Sequence, residues 1–136
     1  MNRPFRRLLL GLLTFALAGC ANVQRSQRDA LLASEAHSYT AAIRWGELDA
    51  ANKYLRTREG LVPKLDSRRY RGVKVTDYQY RLEATGTPGE TLMNARFTYY
   101  RENSARLRTL DTQGLWWYDE KSGAWFLEGA PPDFGP

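Results

Sequence analysis

The stretch VKVTDYQYRLEATGTPGETLMNARFTYYRE, residues 73–102, decides the fold class. Within it Tyr78, Tyr80 and Leu82 alternate with Gln79, Arg81 and Glu83. Met93, Ala95, Phe97 and Tyr99 alternate in the same way with Asn94, Arg96 and Thr98. A period of two in residues rich in Tyr, Val and Thr marks strands with one face buried. Thr85-Gly86-Thr87-Pro88-Gly89 between the runs has the composition of a turn, so the two strands form an antiparallel hairpin. Val73 and Val75 fall on the opposite parity to Tyr78 and Tyr80, which predicts a bulge near Thr76-Asp77.

Downstream, Arg106 to Tyr118 makes a third strand, with Leu110, Trp116 and Tyr118 on one parity and Leu107, Leu115 and Trp117 on the other. Gly114 suggests a bulge or sharp bend there. Asp119 to Gly123 is a hairpin connection and Ala124 to Glu128 the closing strand. The proline-rich end, Gly129 to Pro136, cannot extend the sheet and is expected to fold over an edge or fray. Upstream, Leu31, Leu32, Ala36, Tyr39, Ala42 and Ile43 recur at helical spacing, predicting a helix from about Ser26 to Trp45. Gly46 interrupts it, and Glu47 to Leu55 carries a shorter helical pattern before an irregular connector, Arg56 to Gly72. Helices followed by a meander of strands give an α+β class, with the N-terminal helices on one face of a curved, mainly four-stranded antiparallel sheet.

The N-terminus has a different character. Arg3, Arg6 and Arg7 precede a ten-residue apolar run, Leu8 to Leu17, and then Ala18, Gly19 and Cys20. Ten helical residues rise about 15 Å, half the hydrocarbon thickness of a bilayer, which suits the core of an export signal better than a membrane span. Leu17-Ala18-Gly19-Cys20 resembles the lipobox of bacterial lipoproteins, and Cys20 is the only cysteine of the chain. The resemblance implies diacylglycerol on Cys20, cleavage between Gly19 and Cys20, and acylation of the new amino terminus. A lone thiol in an oxidising compartment would thereby be capped, and two or three chains suffice for stable anchoring. Alanine rather than aspartate at position 21 favours, by the same resemblance, the periplasmic face of the outer membrane. The expected organisation is a signal at 1–19, a lipidated tether at 20–28 and one domain at 29–136.

The signal holds three of the 20 basic residues and none of the 15 acidic ones, so the remaining chain carries 17 basic against 15 acidic residues. Its basicity is therefore no argument for nucleic-acid binding. All four Trp and all eight Tyr lie beyond Gly19, enough ring surface for a compact core.

A helix carrying Tyr39-Thr-Ala-Ala-Ile-Arg-Trp-Gly46, a Glu-Leu-Asp-Ala-Ala second helix and a meander ending in Leu115-Trp-Trp-Tyr-Asp-Glu-Lys-Ser-Gly-Ala-Trp-Phe-Leu127 resemble the NTF2-like, SnoaL-type cone fold. More narrowly, the chain is similar to uncharacterised proteobacterial lipoproteins with such a domain, over about residues 30–130. A cystatin-like arrangement is the alternative. The resemblance implies a sheet wrapped around the long helix, with a pocket at its open end. Such domains include small isomerases, dehydratases and many non-catalytic binding modules, and the enzymes often use a His–Asp pair.

His37, the only histidine, is the candidate base, with Asp77 and Asp111 the available strand carboxylates. The alternative is a histidine on the rim of the helix, and this reading is preferred. His37, Tyr39, Tyr78, Tyr80, Tyr99, Trp116 and Trp117 are the residues that would line a pocket for a small apolar ligand. Tyr100, Tyr118, Trp125 and Phe126 belong to the same aromatic set, and filling the space between helix and sheet is its commoner use. Trp116 and Trp117 are adjacent on a strand and must face opposite ways. No metal-ligand set, phosphate loop or nucleophile motif is apparent, and no cofactor is expected. The basic run Lys64, Arg68, Arg69, Arg71 and Lys74 reads as a solvated connector. The expectation is a non-enzymatic binding or interaction domain held to the membrane by lipid on Cys20, with an envelope protein or a second copy as partner.

Overall fold

The computed structural model describes the backbone of residues 3–135 and the side chains from Gly19 onward; most of the expected export signal therefore lies outside the described side chains. The chain divides into two units, Met1–Ser34 and Glu35–Pro136. The described residues of the first are helical. α1 runs Arg3–Trp45, so the polar segment at 20–28 is helix as well. No glycine or proline interrupts residues 20–45, and Ala, Gln, Arg and Leu favour helix there. From Gly19 to Arg28 every side chain except half-buried Arg28 is exposed.

In the second unit α1 ends at Gly46, whose φ of 71° continues no right-handed helix. Two turns of chain follow as α2, Leu48–Asn52, and α3, Ser67–Tyr70. The sequence pattern did not reveal α3, a four-residue turn capped by Asp66, whose carboxylate accepts from the Arg68 amide at 3.0 Å. Four strands complete the unit: β1 Val73–Ala84, β2 Glu90–Arg101, β3 Arg108–Asp119 and β4 Ala124–Glu128. They form a curved antiparallel sheet in the order β1-β2-β3-β4, which does not close. The fold is α+β, with helices followed by a four-stranded antiparallel meander.

Register explains which side chains meet. β1 shifts against β2 between Val75 and Asp77, the bulge that its change of parity requires. Beyond it Tyr78 pairs with Phe97, Tyr80 with Ala95 and Leu82 with Met93. Phe97 in turn pairs with Leu110, Met93 with Gly114 and Thr91 with Trp116, and Trp116 with Leu127. These residues make one inner face, and Ala36, Tyr39, Thr40 and Ile43 of α1 are buried with Met93, Phe97, Trp116 and Leu127 in the core. Thr40 satisfies its hydroxyl by donating to the Ala36 carbonyl at 2.9 Å.

Gly114 makes no bulge, because the β2–β3 register runs unbroken past it. Its role is close approach: a Cβ there would lie 2.7 Å from Leu127 Cδ1 and 3.4 Å from the Glu128 carbonyl. The missing side chain lets β4 lie down beside β3 at the place where Leu127 enters the core.

The C-terminal segment folds inward. Phe134 is buried against Tyr99, Tyr70 and Phe97, with ring centroids 4.8, 5.4 and 6.1 Å away, all edge-on. Polar contacts clasp it from outside. The Tyr70 hydroxyl donates to the Pro132 carbonyl at 2.6 Å, Tyr99 to that of Phe134 at 3.3 Å, and Arg69 pairs with Asp133. The Arg101 guanidinium donates to the carbonyls of Phe134 and Gly135. A chain of prolines and glycines cannot add to a sheet, so it is held by one aromatic anchor and by side-chain donors to its carbonyls. Phe134→Ala is therefore expected to cost about 3 kcal/mol in urea unfolding, as for other buried Phe truncations. Leu107→Ala, at a residue 64% exposed, is expected to cost less than about 0.5 kcal/mol.

Candidate functional site

The residues expected to share a pocket separate into four groups. Tyr39 and Trp116 are buried together, ring centroids 6.1 Å apart and edge-on, and Tyr54 of the α2–β1 connector completes the cluster at 6.2 and 6.0 Å. The Trp116 indole N–H donates to Met93 Sδ at 3.3 Å. Tyr99 belongs to a second cluster, around Phe134. Three aromatic rings meeting edge-on occupy space rather than enclose it, which is the behaviour of a core.

Tyr78 and Tyr80 lie half-buried on β1, at the margin of the inner face. His37 is exposed on α1, its ring 6.4 Å from that of Tyr78. Neither carboxylate considered for it shares its side of the sheet. Tyr78 faces inward, so Asp77 beside it faces outward, and Asp111 is bound to Arg96 on that outer face. Trp117 points outward, as its neighbour's burial requires. It packs on Phe126 at 5.5 Å and donates from Nε1 to the Arg56 carbonyl at 3.0 Å, while the Arg56 guanidinium stacks 4.1 Å above the Phe126 ring.

A concavity lies elsewhere, on the outer face of β1, β2 and β3. It is an open depression of about 650 Å³ whose lining includes Arg81, Glu83, Asn94, Arg96, Asp111 and Gln113. Arg96 binds Asp111 in a two-point pair, Nε to Oδ1 at 2.6 Å and Nη2 to Oδ2 at 2.9 Å. That bond holds the Asp111 carboxyl below the usual carboxylate range. Gln113 donates to Asn94 across the same strands at 2.8 Å. The surface offers amides, guanidinium groups and carboxylates in cross-strand rows, suited to hydrogen bonding with a polar partner. Sequence reasoning followed the apolar parity and passed over this polar one, although the alternation that buries Tyr78 and Tyr80 also aligns Gln79, Arg81 and Glu83.

Among the described residues no group of three or more His, Cys, Asp or Glu side chains could hold a metal ion. Cys20 is an exposed free thiol on α1. No family model, no curated protein and no solved structure matches this chain.

Burial of Tyr39, and secondarily the nearby Tyr70, raises the Tyr39 phenol well above its ordinary value of 10.0. The folded protein therefore retains a proton that the unfolded chain releases above pH 10. Its contribution is complete below that pH and is lost as pH rises toward the higher folded value. Urea midpoints measured at pH 8 and pH 11 should show a fall in stability, with one such group contributing up to about 1.4 kcal/mol per pH unit. Tyr39→Phe should make the fall shallower; an unchanged slope would mean that Tyr39 is not the titrating group.

Proposed function

We propose that this protein is a lipid-anchored component of a bacterial envelope, whose domain acts by binding and not by catalysis. The observation that carries the reading is Cys20. The one cysteine of the chain follows three arginines, a ten-residue apolar run and the small pair Ala18-Gly19. It is exposed, within a stretch of α1 whose other side chains from Gly19 to Gln27 are exposed too. A thiol displayed in this way is open to modification, and acylation would exchange a reactive group for an anchor. Among the described residues no helix is long and apolar enough to cross a membrane, so attachment in this reading rests on lipid. Alanine at position 21 favours the periplasmic face of the outer membrane.

Binding is favoured over catalysis by the placement of His37. It is exposed, and Asp77 and Asp111 project from the other side of the sheet. Of the aromatic residues that would have lined a ligand pocket, Tyr39, Trp116 and Tyr99 are packed in the core and Trp117 faces outward, which favours a protein partner over a small apolar ligand. Cells producing the full chain and fed an alkyne palmitate should incorporate label into the native sequence. Cys20→Ser should lose essentially all of it, and labelling that persists in the variant would overturn the anchor.

A further inference from the structure

We infer that the free edge of β1 is the site where a second copy of this chain adds, strand to strand, about a twofold axis at Gln79. The two edges of the sheet are treated differently. β4 is closed by the connector: Leu55 bridges Leu127, with the Arg56 amide donating to the Leu127 carbonyl at 3.1 Å and the Leu127 amide to that of Tyr54 at 2.7 Å. Among the described residues β1 has β2 on one side and no strand on the other. Natural edges are usually blunted by bulges, prolines or inward-pointing charges. On β1 these devices stop at Thr76, where the bulge lies and where Arg44 occupies the Thr76 carbonyl. From Asp77 to Ala84 the strand has no proline, no further register shift and no charge on its inner face.

The inner face is also unfinished at this edge. Phe97, Ala95 and Met93 of β2 are buried, while their β1 partners Tyr78, Tyr80 and Leu82 are each only half-buried. Cover stops one strand short. A further strand would supply both the ladder partners and the missing side chains of that row.

The charge pattern of β1 selects its own copy as that strand. With two antiparallel copies in the register that sets Gln79 opposite Gln79, Asp77 faces Arg81 twice on the outer side. Tyr78 faces Tyr80 twice on the inner side. Opposite charges and aromatic pairs directly across a ladder are the favourable combinations. Placing Tyr80 on the axis would set Asp77 against Glu83, and placing Arg81 there would set it against itself. Leu82 on the axis satisfies Arg81 with Glu83 but leaves Tyr78 opposite Gly86, outside the strand, and so leaves the row uncovered. The Gln79 register pairs five residues from each copy and joins the two sheets into one of eight strands. This inference is independent of the lipid anchor, since it rests only on β1.

The test uses the full-length chain in two differently tagged copies, with a photoreactive benzophenone side chain in place of Gln79. Irradiation of the producing cells should yield a product carrying both tags. The Arg81 side chain is 80% exposed and its ion pair with Glu83 is long, at 3.9 Å, so Arg81→Glu is expected to keep the fold, and it should lower the yield about tenfold by facing Asp77 with a like charge. Adding Asp77→Arg to that variant should bring the yield back to within about twofold of the parent, because the pair is restored with its signs exchanged. Failure of the exchange to restore the product would overturn the register. The absence of a doubly tagged product, or capture of a different protein in its place, would overturn the proposal itself.

Discussion

The packing of Tyr39 against Trp116 is the contact on which the rest of this domain depends. It joins the last turns of α1 to the C-terminal part of β3 through two rings set edge-on, with Tyr54 as the third member. Trp116 is fully buried and ties back to β2 through Met93, so one indole links helix, connector and two strands. Burying side chains of this size contributes several kcal/mol each against the entropy of ordering a chain with so short a sheet. Gly114 and Leu127 follow from that arrangement, since β4 reaches the same core only by lying close over a residue with no side chain.

A second constraint acts at the other end of the inner face. The strands leave space between Tyr99, Phe97 and Tyr70, and the chain fills it with its own Phe134. The segment that carries this ring has no ladder to join, so its carbonyls are met by Tyr70, Tyr99 and Arg101. Beside Tyr99, one of the residues expected to line a pocket, the inner face is filled by Phe134. In the binding role we propose, recognition would fall to the outer surfaces, where the rows of Arg, Asn, Gln and Asp and the edge of β1 lie.

Much of this architecture was legible in the residues because strand periodicity is local. Alternation of Tyr78, Tyr80 and Leu82 with polar neighbours, and the change of parity at Val75, specified the hairpin and its bulge before any contact was known. Opposite directions for Trp116 and Trp117 followed from strand geometry alone. The stop at Gly46 was legible for a similar reason, since one residue with positive φ suffices to end a helix. The candidate site was less legible. A list of aromatic residues does not say whether they enclose a space or fill it, and Tyr39, Tyr99 and Trp117 went to three different places.

By itself the sequence determined the α+β class, the meander of strands and the singular position of Cys20, because each is written in neighbouring residues. Tertiary structure decided what those elements enclose. It turned Gly114 from an expected bulge into a point of close approach and sent Phe134 into the core. It also set His37 apart from Asp77 and Asp111 of the outer face and, among the described residues, left β1 with one neighbouring strand. These outcomes depend on residues distant in the chain competing for the same volume, and no local pattern records which of them wins.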